Sequence, residues 1–273
     1  MRPPSNASEQ TLQQAIAALR AGRANEAEWL AAEVVKAQPS DARALQLQGY
    51  ARLVQGRAQE AIAPLEQAVK RSHDPAAETQ LAMALRQAGR EEDALARLER
   101  AVKRQPPFPP AFLELGNLLA ALGRDDEAIG VLERALALAP RMGELAIQLG
   151  FIHYRRGDTD KARDLLTRGL AGAPHDVDGL YLLARMTQNR CEFAQAAELY
   201  RRLLALTPQD AAARIGLGAC LLELGQPDAA FDSLRGAARA NAKIFGDTLT
   251  ALSASGRGRF WLKPSDAARK LKS

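Results

Sequence analysis

Cysteine is scarce in this sequence. Its 273 residues hold two, Cys191 and Cys220, far apart and in no CxxC pair. That spacing argues against a disulfide framework and against a cysteine-based zinc site, and nothing points to an oxidising compartment. Aromatic residues make up only 5% of the chain, and β-branched residues are sparse, which disfavours a sheet protein. No apolar run approaches the length of a membrane span. The segment Met1–Ala7 is polar and contains prolines, without the basic and then apolar regions of a signal peptide. What remains is rich in Ala, Leu, Arg and Glu, all strong helix formers. The expectation is a soluble, all-α chain in the cytoplasm, long enough to bury a sizeable core.

Signatures of catalysis are also missing. The chain has no HExxH, no GxSxG, no phosphate-binding P-loop and no dinucleotide-binding glycine fingerprint. Its three histidines, His73, His153 and His175, fall in separate parts of the pattern described below, and none has a second ligand at i+4. Acidic pairs such as Glu91-Glu92 and Asp125-Asp126 stand where helices are expected to start, so they suit the positive end of a helix dipole. No catalytic residue, metal or cofactor is expected, and the chain reads as not an enzyme.

The net charge is +5, and its location matters more than its size. Arg257, Arg259, Lys263, Arg269, Lys270 and Lys272 face Asp266 alone in the last stretch, which accounts for all of it. The rest of the chain is neutral. A basic tail beside a neutral body is weak ground for nucleic-acid binding, which is not expected. Phe260, Trp261 and Leu262 sit among those basic residues. Either they fold back to seal the end of the structure or they dock a partner.

The body is periodic. The hexapeptides GRANEA, GRAQEA, GREEDA, GRDDEA, GDTDKA, CEFAQA and GQPDAA end at Ala27, Ala61, Ala94, Ala128, Ala162, Ala196 and Ala230. Successive alanines are 34, 33, 34, 34, 34 and 34 residues apart. Pro39, Pro106, Pro140, Pro174 and Pro208 keep the same phase, with His73 in that place in the second unit. A small residue stands seven positions before each turn: Ala15, Gly49, Ala82, Gly116, Gly150, Ala184 and Gly218. Each unit therefore reads as two helices. Glycine ends the first in a left-handed conformation, proline stops the second, and the small residues let the two backbones approach. In the fourth unit Phe112, Leu115, Leu119, Ile129, Leu132, Leu136 and Leu138 recur at helical spacing and are the expected core. Three irregularities stand out. Cys191 replaces the turn glycine, Pro64 lies inside a second helix, and Pro106 to Pro110 form a stiff link whose last prolines start the next helix. The first helix is expected near Ser8, with that serine as an ordinary cap.

This pattern resembles the tetratricopeptide repeat family over roughly residues 8–244. The resemblance implies a right-handed α-solenoid of seven helix–turn–helix repeats: 8–41, 42–74, 75–108, 109–142, 143–176, 177–210 and 211–244. A flexible tail, 1–7, would precede them. Residues 245–273 would give a C-terminal capping helix, with Ile244, Phe245, Leu249 and Leu252 facing the stack, and the basic tail. The family's arrangement places a concave groove along the first helices. Its partner-binding residues here would be Tyr50, Met83, Arg86, Asn117, Phe151, Tyr154, Tyr181 and Arg185, with Leu12, Ile16, Leu113, Ile147, Arg155 and Gln188 at further lining positions. One branch of the family holds C-terminal carboxylates in a Lys/Asn clamp. Asn117 matches its asparagine, but Leu113 stands at the lysine position, with Thr79 and Met83 at the equivalent places one unit earlier, so the clamp is incomplete. The expected function is a non-enzymatic adaptor or scaffold that binds a partner protein's peptide or helix. The alternative is a substrate-recruiting or regulatory subunit of a separate enzyme, such as a sulfotransferase, glycosyltransferase or oxygenase. Exposed end repeats can also stack between chains, which leaves a homo-oligomer open.

Overall fold

The structure is a computed structural model and describes residues 6–240. The cap expected at Ile244–Leu252 and the basic tail lie outside the described residues. Among the described residues there are fourteen α-helices and no strands. They divide between two compact units, Met1–Pro140 and Arg141–Ser273. The first unit holds α1 (Asn6–Arg20), α2 (Ala24–Ala37), α3 (Ala42–Val54), α4 (Ala58–Ser72), α5 (Pro75–Gln87), α6 (Glu91–Ala101), α7 (Pro109–Ala121) and α8 (Asp125–Leu138). The second holds α9 (Gly143–Arg155), α10 (Thr159–Gly172), α11 (Val177–Asn189), α12 (Phe193–Leu206), α13 (Ala211–Glu223) and α14 (Pro227–Ala240). Odd-numbered helices are the first members of their pairs, and even-numbered helices the second.

The turn inside each pair follows from backbone stereochemistry. The six turn glycines all have positive φ, from 73° at Gly22 to 88° at Gly157. Cys191, at the same position in the sixth pair, takes φ 63°. Its N–H donates to the carbonyl of Gln188 at 2.9 Å, and Glu192 N–H to that of Thr187 at 3.2 Å. Gly157 and Asp158 make the same two bonds, to Tyr154 and His153. The turn thus keeps its shape at Cys191 and carries the strain of an L-residue in a left-handed conformation, about 1–2 kcal/mol.

Helix ends use separate devices. Asp41, Asp74, Asp176 and Asp210 cap α3, α5, α11 and α13, each accepting backbone N–H bonds on its side chain. Pro39, Pro140, Pro174 and Pro208 each follow the residue that closes a second helix, while α4 ends on His73 at φ 52°. Pro109 and Pro110 open α7. Second helices in the first unit start after Arg23, Arg57, Arg90 and Arg124, none of which caps through its side chain. Each arginine instead pairs with an acid three residues on: Glu26, Glu60, Asp93 and Glu127. The acid offsets a cation placed at the positive end of the helix dipole.

One expectation about the first pairs needs correction, and one is sharpened. Ser8 is no cap, because α1 already begins at Asn6; its hydroxyl accepts a bond from Gln38 Nε2 at 3.1 Å, tying α1 to the end of α2. Pro64 does not interrupt α4, which runs from Ala58 to Ser72. The carbonyl that Pro64 leaves without its helical donor belongs to Glu60, and it accepts from Arg52 Nη1 at 3.1 Å.

Packing within a pair depends on the small residues. A Cβ at Gly116 would stand 2.5 Å from Leu132 Cγ, and one at Gly49 2.5 Å from Leu65 Cγ. The position is small so that a leucine from the second helix can lie across the first. Leu65, Leu132 and Leu166 are fully buried as a result. Leu138, expected in the core, is 52% exposed, because it is the last residue of α8 and faces solvent. One carboxylate, Glu28 on α2, is held by Arg52 Nε at 2.8 Å and Arg57 Nη1 at 2.7 Å. Burial alone would raise its pKa; hydrogen bonds from Arg52 and Gln55, with the charge of Arg57, outweigh that and leave it below the ordinary carboxylate value. A second, Glu78 on α5, is almost fully buried and meets Arg104 Nη2 at 2.6 Å.

Candidate functional site

The eight residues expected to line a groove all lie on first helices. Tyr50 is on α3, Met83 and Arg86 on α5, and Asn117 on α7, all in the first unit. Phe151 and Tyr154 are on α9, and Tyr181 and Arg185 on α11, in the second. All are at least partly exposed. Leu12 and Ile147, also expected at lining positions, are buried at 1% and 0% and belong to the core. His153, on the same helix as Phe151, is buried too, with Nδ1 3.1 Å from Asp158 Oδ2.

In the first unit the charge at this face is internally balanced. Arg86 Nη2 lies 3.5 Å from Glu114 Oε2, from one first helix to the next. Burial raises the Glu114 carboxyl above its ordinary pKa, and the charge of Arg86 only partly opposes the rise. Asn117 Oδ1 is buried with no hydrogen-bond partner among the described residues. Thr79, at a clamp position, is turned inward, its hydroxyl donating to the carbonyl of Pro75 at 2.7 Å.

In the second unit the expected residues converge. Phe151, Tyr154, Tyr181 and Arg185 surround one hollow of about 480 Å³, together with Gln148 and Asp178. The inner edges of the three rings pack against the core of that unit. The Arg185 guanidinium lies 5.8 Å from the centre of the Tyr181 ring, within cation–π range. Behind Tyr181 stands Tyr200 of α12, edge to face at 6.5 Å and 69°. Tyr200 is 2% exposed, and its hydroxyl donates to Gln188 Oε1 at 2.9 Å. Burial moves that hydroxyl's pKa upward, so it stays protonated. A Cβ at Gly216 would stand 2.3 Å from Tyr200 Cζ, so α13 leaves room for the ring only because it has glycine there. Sequence reasoning missed Tyr200, on α12, and Gly216, on α13, because their contact joins two neighbouring pairs and no spacing within one unit marks it.

No group of three His, Cys, Asp or Glu among the described residues is placed to hold a metal ion. Cys220 is buried, and burial pushes its thiol up to about 12. No described helix is long and apolar enough to cross a membrane.

Two family profiles, both described as tetratricopeptide repeat, match residues 12–77 and 79–142, and residues 119–186 and 192–243. The chain belongs to the tetratricopeptide repeat family. Among solved structures, a thermophilic tetratricopeptide repeat protein of Thermus thermophilus is similar at 25% identity and TM-score 0.59, covering 66% of this chain and 99% of that one. Pseudomonas aeruginosa PilF is similar at 19% identity and TM-score 0.61, covering 74% and 92%. The Cut9–Hcn1 hetero-tetramer of the APC/C is similar at 16% identity and TM-score 0.67, covering 95% of this chain and 48% of that one. No curated protein matches significantly. Tetratricopeptide repeat proteins generally mediate protein–protein interactions, and the two likenesses below 25% identity speak to the fold alone.

Proposed function

We propose that this tetratricopeptide repeat protein is a non-enzymatic scaffold that holds a segment of a partner protein on its first-helix face. The observation that supports the reading is the hollow formed by Phe151, Tyr154, Tyr181 and Arg185, a group of exposed aromatic and arginine side chains of the kind that anchors protein interfaces. Its rings are backed by buried side chains, so little ordering cost remains when a partner binds. Tyr50, Met83, Arg86 and Asn117 would form a contact surface of their own on the first unit, with Arg86 less available because it already faces Glu114.

The test is a displayed peptide library selected against the full chain, followed by titration of the enriched peptides. Tyr181→Ala and Phe151→Ala are expected to weaken binding by about ten-fold or more, as removal of an interface anchor does. Arg168→Glu, on α10, is the control and is expected to leave binding unchanged. Enriched peptides that bind the two ring variants as well as the native chain, or that lose affinity on Arg168→Glu instead, would move the site off this face.

A further inference from the structure

Tyr200 supports the first-helix face from behind and also sets the polarity of one group on it. Its side chain is 2% exposed, and its hydroxyl meets Gln188 Oε1 at 2.9 Å. Among the described residues that hydroxyl has no other partner. Burial keeps it protonated, so its proton needs an acceptor. A glutamine amide offers one acceptor, Oε1, and one donor group, Nε2. With Nε2 turned inward, the tyrosine proton would be buried without a partner, which costs more than a typical bond returns. Gln188 therefore faces Tyr200 with Oε1 and turns Nε2 the other way. Gln188 is only partly buried, and its Nε2 has no partner among the described residues.

The outward side of that amide belongs to a stripe. Tyr181, Arg185 and Gln188 stand at i, i+4 and i+7 on α11 and so share one face. Arg185 lies against the Tyr181 ring, and its charge is felt at the Tyr200 hydroxyl, where it opposes the rise that burial causes. Both polar groups at this end of the stripe are then donors: a guanidinium, which has no acceptor atom, and an amide whose acceptor is already taken. Asp178 is on the same stripe but ten residues from Gln188, about 15 Å along the axis. Glu192, four residues beyond Gln188, is held by Arg190 at 3.0 Å and Arg163 at 3.6 Å.

We propose that Tyr200 is a positioning residue that fixes Gln188 as a donor, so that this end of the stripe selects an acidic side chain of the partner over a basic one. The proposal rests on the first-helix face being the binding surface and adds to it the residue that decides its polarity.

The isotope-labelled full chain is titrated with small aromatic probes, and the side-chain signals of Gln188 and Arg185 are followed by NMR. Three probes are capped at both ends: acetyl-Phe-Glu-amide, acetyl-Phe-Gln-amide and acetyl-Phe-Lys-amide. A fourth, acetyl-Phe-Gln with a free carboxyl end, carries its carboxylate on the chain terminus. The Glu probe is expected to shift the Gln188 amide and to bind about five-fold tighter than the capped Gln probe, the worth of about one net hydrogen bond. The Lys probe is expected to leave that amide unshifted. Gln188→Glu puts an acceptor on the outward side and is expected to abolish the preference for the Glu probe. Tyr200→Phe keeps the ring but lets the amide turn, and is expected to cut the preference for Glu over Lys by about three-fold. In a Gln188→Ala background the same change should have no further effect on that ratio, because no amide remains to be held. Unchanged helical circular dichroism shows that each variant is folded.

A purely structural role for Tyr200 would weaken all probes together and leave their ratio as it was. An unchanged Glu-to-Lys ratio in folded Tyr200→Phe therefore overturns the proposal, as does a ratio that Tyr200→Phe still lowers in the Gln188→Ala background. Tighter binding of the free-carboxyl probe than of the capped Glu probe would place the recognised carboxylate at a chain end and overturns it too. If every probe shifts Phe151 and Tyr181 while Gln188 does not respond, the binding face stands and only the role of Tyr200 falls. If no probe shifts α9 or α11, both readings fall.

Discussion

Replacing Cys191 by glycine is expected to stabilise the protein. Cys191 occupies a left-handed turn at φ 63°, where every other pair of the described chain has glycine at 73° to 88°. An L-residue pays about 1–2 kcal/mol to sit there. Glycine removes that strain but loses more conformational freedom on folding, about 0.5–1 kcal/mol. The net expected gain lies between about 0 and 1.5 kcal/mol, centred on about 0.8 kcal/mol. Little is lost with the side chain, since Cys191 is exposed and forms no disulfide. The turn's two hydrogen bonds come from backbone N–H groups and survive the change. Stability in a repeat protein is shared mainly between neighbours, so the gain should be local. Urea unfolding measures the total, and amide hydrogen exchange should show slowed opening in α11 and α12 with little change in α3 and α4. Cys191→Ala keeps the strain and is expected to leave stability within about 0.5 kcal/mol of the native chain. If Cys191→Gly unfolds at the same urea concentration as Cys191→Ala, or a lower one, the strain argument is wrong.

Gly116→Ala is expected to destabilise by about 1–3 kcal/mol, because the new methyl meets Leu132 Cγ at 2.5 Å. Combining it with Leu132→Ala should cost less than the two changes do separately, which a double-mutant cycle in urea would show. Glu114→Gln is expected to raise the urea midpoint at pH 7, because burial disfavours the ionised carboxylate. A raised folded pKa means that the native glutamate is at its least favourable above that pKa. Its disadvantage relative to glutamine should shrink as pH falls through the folded value, and vanish below the ordinary carboxylate value. A difference that grew on acidification would contradict the assignment. Tyr200→Phe removes the bond to Gln188 and should cost about 1 kcal/mol, whereas Tyr200→Ala should cost about 3–5 kcal/mol and weaken any peptide held against Tyr181.

The period made the helix pairs legible, because each marker has a local physical cause. Glycine at Gly157 reads as a left-handed turn whatever packs on it, and proline at Pro174 ends a helix on its own. Cys191 could be picked out as an exception for the same reason. Residues whose environment comes from elsewhere in the chain were not legible. Whether Ile147 faces a groove or the core depends on what α10 and α11 place beside it, and the structure buries it. The pairing of Arg86 with Glu114, and the support that Tyr200 gives Tyr181, join separate helices. No spacing within one unit encodes them. The Pro64 site combines both kinds of information: proline announces a missing bond, but only the fold shows that Arg52 fills the vacancy.

Four loops of the first unit repeat the same phrase, a glycine, an arginine and an acid three residues on, and the phrase cannot tell one loop from the next. Stacked sideways by one whole pair, such a chain would regain most of its local bonds. The carboxylate of Glu28 is what such a slip would sacrifice. It is held by Arg52 and Arg57 of the next pair, and one unit further along the position of Arg52 is filled by Leu85. A slipped neighbour would leave Glu28 with one arginine in place of two, and with leucine where the other had been. That carboxylate acts as an address written into an otherwise uniform text, and it lets α2 distinguish its own neighbour from a near copy.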